Sequence, residues 1–103
     1  MVKKYDKLVR DHIPEIIKKE RGEHCVFRVA GEDEYWRRLK DKLREEVEEF
    51  CDSEDPEELA DIEEVLSAIR KFRQVDPDAI EQLRRDKVAR RGGFERRIIL
   101  EEA

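Results

Sequence analysis

Two runs of apolar residues at helical spacing constrain the fold of this chain more than any other feature. The first run recurs every three or four residues, at Trp36, Leu39, Leu43, Val47 and Phe50. The second keeps the same period, at Leu59, Ile62, Val65, Leu66, Ile69 and Phe72. This period places each run on one face of an α-helix. Only a short loop separates them, so the sequence predicts two antiparallel helices that are neighbours.

Capping residues predict where the helices begin and end. The helix of the first run should span about residues 33–52, and that of the second should begin at the Asp55-Pro56 pair and end near residue 73. Asp76-Pro77 repeats this pair and predicts a further helix that ends at Gly92-Gly93. A short helix should precede them all, with Ile13 at its start, Pro14 in its first turn and Gly22 at its end.

Two segments outside these helices predict a minor β element. Residues 23–29 alternate loosely and contain β-branched and aromatic side chains, and Phe94 with residues 98–100 has a similar character. The two segments could pair and close the ends of the domain. The sequence therefore predicts one mainly α domain over residues 1–103, with a minor two-stranded β element.

Composition adds bounds on size, location and partners. Half of the 103 residues are charged, 38% are hydrophobic and the mean hydropathy is −0.93, so the core should be small and completed by oligomerisation. A net charge of −5 argues against a general nucleic-acid-binding protein. Without an apolar run near 18 residues or a signal-like segment, we expect a soluble cytoplasmic protein. The richness in Lys, Arg and Glu is also typical of thermophilic proteins.

Two acidic clusters are candidates for a metal site. Glu46 and Glu49 stand three residues apart, as do Glu58 and Asp61, so each pair shares one helix face. With 28 acidic residues in 103, about seven such pairs are expected by chance, and spacing alone decides nothing. Helical-wheel positions are more informative. They place Glu46 at the margin of its apolar stripe, Glu58 inside the other stripe, and Glu49 and Asp61 on the matching flanks.

Carboxylates against apolar surface are costly unless they are paired or bound to a metal. The positions of Glu46, Glu49, Glu58 and Asp61 on two neighbouring helices therefore favour a site for a hard divalent cation, which prefers oxygen ligands. The wheel places Glu45 almost opposite the stripe.

Two structural alternatives stay open. Glu58 lies three residues after Asp55 and could complete a capping box at the start of its helix. Glu46 and Glu49 could instead pair with Lys42 or Arg44 on a solvated face.

A basic stretch follows in the last quarter of the chain. Residues 84–97 hold two acidic and seven basic side chains: Arg84, Arg85, Lys87, Arg90, Arg91, Arg96 and Arg97. We expect most of them to lie on a solvated face that offsets the acidic helices. Lys87 and Arg91 are four residues apart, however, and could reach one phosphate chain together.

At this point the chain resembles a known family. The resemblance rests on four segments in order: KLVRDHIPEII at residues 7–17, EEVEE at 45–49, ELADI at 58–62, and K-x-x-x-RGGF at 87–94. They resemble the small phosphoribosyl-ATP pyrophosphohydrolase-like proteins of the MazG-like all-α nucleoside triphosphate pyrophosphatase superfamily. The resemblance covers nearly the whole chain.

The resemblance implies a four-helix core completed by dimerisation, in a homodimer or homotetramer. It implies Mg²⁺ or Mn²⁺ as cofactor and a house-cleaning hydrolase that cleaves nucleotides between the α and β phosphates. By motif, the implied metal ligands are Glu46, Glu49, Glu58 and Asp61. Glu45 or Glu46 would take the proton of the attacking water, and the implied substrate-binding residues are Lys87, Arg91 and Arg10.

Two other functions remain as alternatives at this stage. The chain could be a non-catalytic helical interaction or oligomerisation module whose acidic flank is only surface. Nucleic-acid binding through residues 84–97 ranks third, because the overall acidity opposes it.

Overall fold

The chain forms four α-helices joined by short or irregular segments. The computed structural model describes residues 3–22 and 24–103. Its helices are α1 (Ile13–Arg21), α2 (Glu32–Ser53), α3 (Pro56–Phe72) and α4 (Pro77–Arg91). The mainly α prediction is confirmed, and each helix begins and ends within a residue or two of its predicted position.

The predicted caps explain why these boundaries could be located. The carboxylate of Asp55 accepts a hydrogen bond from the N–H of Glu57 at 2.9 Å, which caps α3. Asp76 accepts in the same way from the N–H of Asp78 at 2.9 Å and caps α4. Gly22 ends α1 with a φ of 63°, a left-handed conformation that glycine adopts without steric cost.

Packing between helices centres on α2 and α3, which lie side by side and are called here the hairpin (residues 32–72). Leu39 and Val65 are its buried apolar side chains, at 2% and 8% exposure. At its far end the ring of Phe72 stacks on Trp36, with 5.5 Å between ring centroids, and meets Tyr35 edge-on at 5.4 Å. The two predicted apolar stripes therefore form the seam of the hairpin.

The outer margins of both stripes are left open. Val47 and Leu59 were both expected in the core, yet their exposed fractions are 41% and 48% in the single chain. The chain covers the centre of each stripe and leaves one edge to solvent.

An ion-pair network fastens the irregular N-terminal segment to α2. The guanidinium of Arg28 donates to both carboxylate oxygens of Glu34, and Glu34 also accepts from Arg38. Arg38 in turn donates to the backbone oxygen and the carboxylate of Asp6, both at 3.0 Å. Residues 6 and 28 are thus held near the start of α2, and residues 7–10 are directed toward the acidic clusters.

The predicted two-stranded β element is not seen in the part of the chain that the structure describes. Among residues 3–22 and 24–103 the structure contains no strand. Val26, Val29 and Ile99 are 85%, 90% and 82% exposed. A β-forming sequence needs a paired neighbour to cover its side chains and backbone groups, and neither segment has one here. Glu23, at the predicted start of the first strand, lies outside the described residues, as do Met1 and Val2.

Helix α4 is not closely packed on the hairpin. It has no buried residue, and its apolar side chains Ile80, Leu83 and Val88 are 39%, 57% and 45% exposed. The radius of gyration is 18.2 Å, whereas a compact chain of this length would have about 13 Å. One chain therefore packs two of its helices closely and leaves a third largely uncovered.

None of the helices in the described part of the chain combines the length and the apolar character needed to cross a membrane.

Replacement of Leu39 by alanine should destabilise the fold strongly. Leu39 is 2% exposed in the seam of the hairpin. Its truncation should lower the free energy of unfolding by about 2–5 kcal/mol, the usual cost of a buried Leu→Ala change. Urea denaturation followed by circular dichroism measures this. Val29→Ala, at a side chain that is 90% exposed, is the control and should change stability by less than about 0.5 kcal/mol. Equal effects of the two variants would contradict the proposed seam.

The network around Glu34 should make stability depend on acid pH. The hydrogen bond from Arg28, assisted by Arg38, lowers the pKa of Glu34 from 4.5 to about 2. Between these values the unfolded chain binds the proton and the folded chain does not, so stability falls as the pH drops from 4.5 toward 2. Glu34→Gln should flatten this part of the melting temperature profile. Glu63→Gln, at an exposed position of α3, should leave the profile unchanged, and a wild-type profile in Glu34→Gln would contradict the assignment.

Candidate metal centre

Carboxylates from α2 and α3 come together at the end of the hairpin nearest its turn. One oxygen from each of Glu45, Glu46 and Glu49 lies within 4.8 Å of the others. The same holds for Glu46, Glu58 and Asp61. The four predicted metal ligands together with Glu45 therefore form two overlapping triads that share Glu46.

Local sequence explains this convergence. The chain reverses between Ser53 and Pro56, so the last turns of α2 face the first turns of α3. A three-residue spacing keeps Glu46 beside Glu49 on α2, and the same spacing keeps Glu58 beside Asp61 on α3. The seam of the hairpin brings the two flanks into contact.

Glu46 is the most deeply placed member of this acidic site. It is 6% exposed, and its Oε1 lies 3.1 Å from the Nζ of Lys42. Its Oε2 is buried and has no hydrogen-bond partner among the residues that the structure describes, and the same is true of the Oε2 of Glu58. A buried acceptor left unsatisfied costs about 1–3 kcal/mol. Both helices thus direct an unpaired oxygen into the same site.

The capping-box alternative for Glu58 is not realised. In a capping box the side chain of Glu58 would accept from the backbone N–H of Asp55. That N–H donates to the Oγ of Ser53 instead, at 3.1 Å. The carboxylate of Glu58 is therefore not used at the helix start and lies with the other acidic side chains.

Three cationic side chains border the acidic site. Arg10 Nη2 lies 2.7 Å from an oxygen of Asp61, which places this predicted substrate-binding residue at the site. Lys7 Nζ lies 3.2 Å from Glu45, and Lys42 Nζ lies 3.4 Å from the other oxygen of Glu45. Lys42 also pairs with Glu46, as the solvated-face alternative expected, but both side chains are largely buried, so the pair does not lie on a solvated face.

The other side chain named in that alternative, Arg44, pairs with Asp41 at 3.1 Å and does not contact the acidic site. The sequence reasoning had not singled out Lys7. Its signal was present in the same KLVRD run that contains Arg10, three residues earlier.

The electrostatic balance differs between the margin and the centre of the site. Burial raises the pKa of Glu49, and the neighbouring carboxylate of Glu46 raises it further. Burial followed by repulsion from Asp61 and Glu46 raises the pKa of Glu58. Burial acts upward on the pKa of Glu45 too, but the ammonium groups of Lys7 and Lys42 outweigh it and the net direction is down. At the margin, nearby cations thus outweigh burial and lower the pKa of Glu45. At Glu49 and Glu58, burial and repulsion between carboxylates raise the pKa.

The donor set fits a hard divalent cation. The two triads supply carboxylate oxygens only, with no His or Cys among their members. Oxygen-only sets suit Mg²⁺ and Mn²⁺, whereas Zn²⁺ sites normally include nitrogen or sulfur. The unpaired oxygens of Glu46 and Glu58 are the positions at which a cation would relieve a cost already present. Glu46, Glu58 and Asp61 are close enough together to share such a cation, and Glu49 adjoins them through Glu46.

The two remaining predicted substrate residues lie elsewhere. Lys87 and Arg91 are on α4, and in the described part of the chain no hydrogen bond or ion pair joins an α4 side chain to α2 or α3. A single chain therefore does not bring these two side chains to the carboxylates.

Comparison with known proteins adds one relative. An uncharacterised protein of Mycolicibacterium smegmatis (strain ATCC 700084 / mc(2)155) is 51% identical to this chain over 43 residues. The match covers 42% of this chain and 43% of that protein, so it spans less than half of either. No family model matches the chain. No solved structure matches it. The acidic site itself is therefore the basis for a proposed function.

Divalent cations should bind at the acidic site and stabilise the fold. A ligand selective for the folded state raises stability by about 2.7 kcal/mol at a hundredfold excess over its Kd. We expect millimolar Mg²⁺ to raise the melting temperature by several degrees and Mn²⁺ to bind in an electron paramagnetic resonance titration. Glu46→Gln should abolish both effects, because Glu46 belongs to both triads.

Glu48→Gln is the matched control for this experiment. Glu48 is exposed, lies on the same helix and belongs to neither triad, so cation binding should survive its loss. The assignment fails if the two variants lose cation binding equally, or if neither cation affects the wild-type protein.

Proposed function

We propose that this protein is a Mg²⁺-dependent nucleotide pyrophosphohydrolase. It would cleave a nucleoside triphosphate or a related nucleotide between the α and β phosphates, releasing a monophosphate and pyrophosphate. The observation that supports this most is the shared ligand Glu46. It links two carboxylate triads, it and Glu58 each have a buried oxygen without a partner, and cationic side chains lie at the margin of the site.

In this proposal the protein residues divide into three roles. Glu46, Glu49, Glu58 and Asp61 hold the cation. When bound, the cation supplies charge neutralisation at the phosphates and lowers the pKa of a water molecule. Glu45 is the side chain of the acidic site left over from the ligand set, and it is suited to accept the proton of the attacking water at its carboxylate. Glu46 is the less suited of the two predicted bases because it lies at the centre of the ligand set.

Arg10 is suited to hold a phosphate of the substrate. Its guanidinium is planar, which allows two parallel hydrogen bonds to one phosphate. Its side chain is 55% exposed, and its partner Asp61 is one of the proposed cation ligands. If Asp61 held the cation, its carboxylate would no longer need Arg10 as a partner. The guanidinium of Arg10 would then be available to an incoming phosphate. Lys7, which borders Glu45, is the second cationic group on the same side.

The proposal includes an assembled protein that acts in the cytoplasm, where free nucleotides are hydrolysed. Two hairpins would form the MazG-like four-helix core of a homodimer, or of a homotetramer built from two such dimers. This assembly would complete the small core that a single chain forms around Leu39 and Val65. The β-forming residues 24–29 and 98–100 would find strand partners only in such an assembly.

A panel of nucleoside triphosphates and phosphoribosyl-ATP tests the reaction. We expect Mg²⁺-dependent release of pyrophosphate, without orthophosphate, from at least one member, measured with a pyrophosphate-specific coupled assay. The double variant Glu49→Gln with Asp61→Asn removes one ligand from each triad. It should lose more activity than the roughly 10–100-fold typical of residues that only support a ligand.

The matched control is Glu48→Gln with Glu57→Gln, which removes the same charge from exposed positions of the same two helices. This control should keep wild-type activity. Full activity in the Glu49→Gln, Asp61→Asn variant, or no pyrophosphate from any nucleotide, would refute the proposal.

A second candidate function is a non-catalytic interaction module. It is favoured by the margin of the acidic site, where Lys7, Arg10 and Lys42 already pair with carboxylates. Such a module needs no cation, so its melting temperature should not respond to Mg²⁺. The cation experiment above therefore separates the two functions.

A further inference from the structure

Helix α4 presents two apolar and two cationic residues on one face. Ile80, Leu83, Lys87 and Arg91 follow one another at intervals of three, four and four residues. At 100° per residue these positions fall within an arc of roughly 80°. This set is called here the α4 face. The apolar residues occupy its first half and the cationic residues its second half.

The α4 face is uncovered within the chain. Ile80 and Leu83 are 39% and 57% exposed. Across the described residues, the side chains of Lys87 and Arg91 make no ion pair or hydrogen bond. Elsewhere on the same helix, Arg84 and Arg85 both pair with Glu81. The chain thus neutralises Arg84 and Arg85 and gives Arg90 a backbone acceptor, the oxygen of Asp86, whereas Lys87 and Arg91 are left available.

The hairpin is the complementary surface. It carries sixteen acidic and seven basic residues, whereas residues 84–97 carry two acidic and seven basic. Its uncovered apolar residues, Val47 and Leu59, lie next in sequence to the site carboxylates Glu46 and Glu58. The apolar patch of the hairpin lies beside negative charge, and the apolar half of the α4 face lies beside positive charge. The two surfaces are therefore complementary in both apolar character and charge.

Within one chain these two surfaces do not meet. Close helix packing is confined to α2 and α3, and the chain measures 56 × 31 × 23 Å along its principal axes. A surface of α4 that matches the hairpin but is not packed on its own hairpin is free to pack on the hairpin of another copy.

We propose that α4 of one chain docks on the hairpin of a second copy and brings Lys87 and Arg91 to the carboxylate site of that copy. A two-fold axis then makes the contact reciprocal, so each dimer holds two sites and each site has residues from both chains. The docking stands on geometry and charge alone. The role of Lys87 and Arg91 at phosphates rests on the proposed function.

Isotope-coded cross-linking tests the docking without any enzymatic reaction. Chains labelled with nitrogen-14 and with nitrogen-15 are unfolded together, refolded together and treated with a carbodiimide, which joins lysine to carboxylate at contact distance. We expect cross-linked peptides between Lys87 and carboxylates of α2 or α3. In a random mixture of dimers, mixed and matched labels should occur in about equal amounts. Matched labels alone, or no cross-link from Lys87 to the hairpin, would overturn the docking.

A single substitution on the α4 face gives an independent measurement. Leu83→Asp changes a side chain that is 57% exposed in the chain, so helix content by circular dichroism should be retained. Light scattering should show that its mass falls to that of a monomer. Ala89→Asp adds the same charge to an exposed position about 120° away from Leu83 and should keep the oligomeric mass. An unchanged mass for Leu83→Asp, or an equal fall for both variants, contradicts the proposal.

Complementation between inactive variants tests the role of Lys87 and Arg91. Lys87→Ala with Arg91→Ala damages one half of the composite site, and Glu49→Gln with Asp61→Asn damages the other. When the two proteins are refolded together, half of the dimers are hybrid and each hybrid holds one intact site, so activity should return to about a quarter of wild type. No recovery would show that each chain serves its own site. If the wild-type protein hydrolyses no nucleotide, the proposed function fails and the cross-linking result still decides the docking.

Discussion

The packing of α2 against α3 is the contact on which the rest of the molecule depends. It buries Leu39 and Val65 and ends in the stacked pair of Trp36 and Phe72. The same seam forces the acidic flanks of both helices together, although their charges repel. The hydrophobic contact therefore stabilises an arrangement that electrostatics alone would open. The Oε2 atoms of Glu46 and Glu58 are buried without partners, and each lowers the stability of the fold by about 1–3 kcal/mol.

Positive charge limits that cost from two directions. Lys42 comes from α2 itself, one helical turn before Glu45 and Glu46. Lys7 and Arg10 come from an irregular segment whose path depends on the contact of Arg38 with Asp6. Single exposed ion pairs contribute little, typically below about 1 kcal/mol, but this segment is held at several points in succession. The segment before α1 is therefore part of the acidic site, although it has no regular structure of its own.

Features that depend on neighbouring residues could be predicted from the sequence, and features that depend on distant contacts could not. Helix ends followed from Asp55, Asp76 and Gly22, whose side chains or backbone act within a few residues. The wheel located Glu46 and Glu58 correctly because helix geometry is regular. It placed Glu45 almost opposite the stripe, but the long side chain reaches back to Lys42 and Lys7.

The segments predicted as strands also depend on distant contacts, and the sequence alone did not predict those contacts. Their β-forming composition is real, but a strand also needs a partner, and no local pattern states where the partner lies. The position of α4 depends likewise on contacts beyond its own sequence. Lys87 and Arg91 could be recognised as a pair from their spacing, whereas their separation from the carboxylates became visible only in the structure.

An acidic site poses a specific difficulty for an anionic substrate. The hairpin carries sixteen acidic residues against seven basic ones, so a nucleotide approaching it alone would be repelled. A bound cation offsets part of that repulsion, and Lys7 and Arg10 offset more on one side. The α4 face carries cations without partners and apolar residues that could anchor them, but it does not pack on its own hairpin. In the proposed docking, two copies would satisfy both surfaces at once, because the charge that one chain lacks at its carboxylates is the charge that the other leaves exposed.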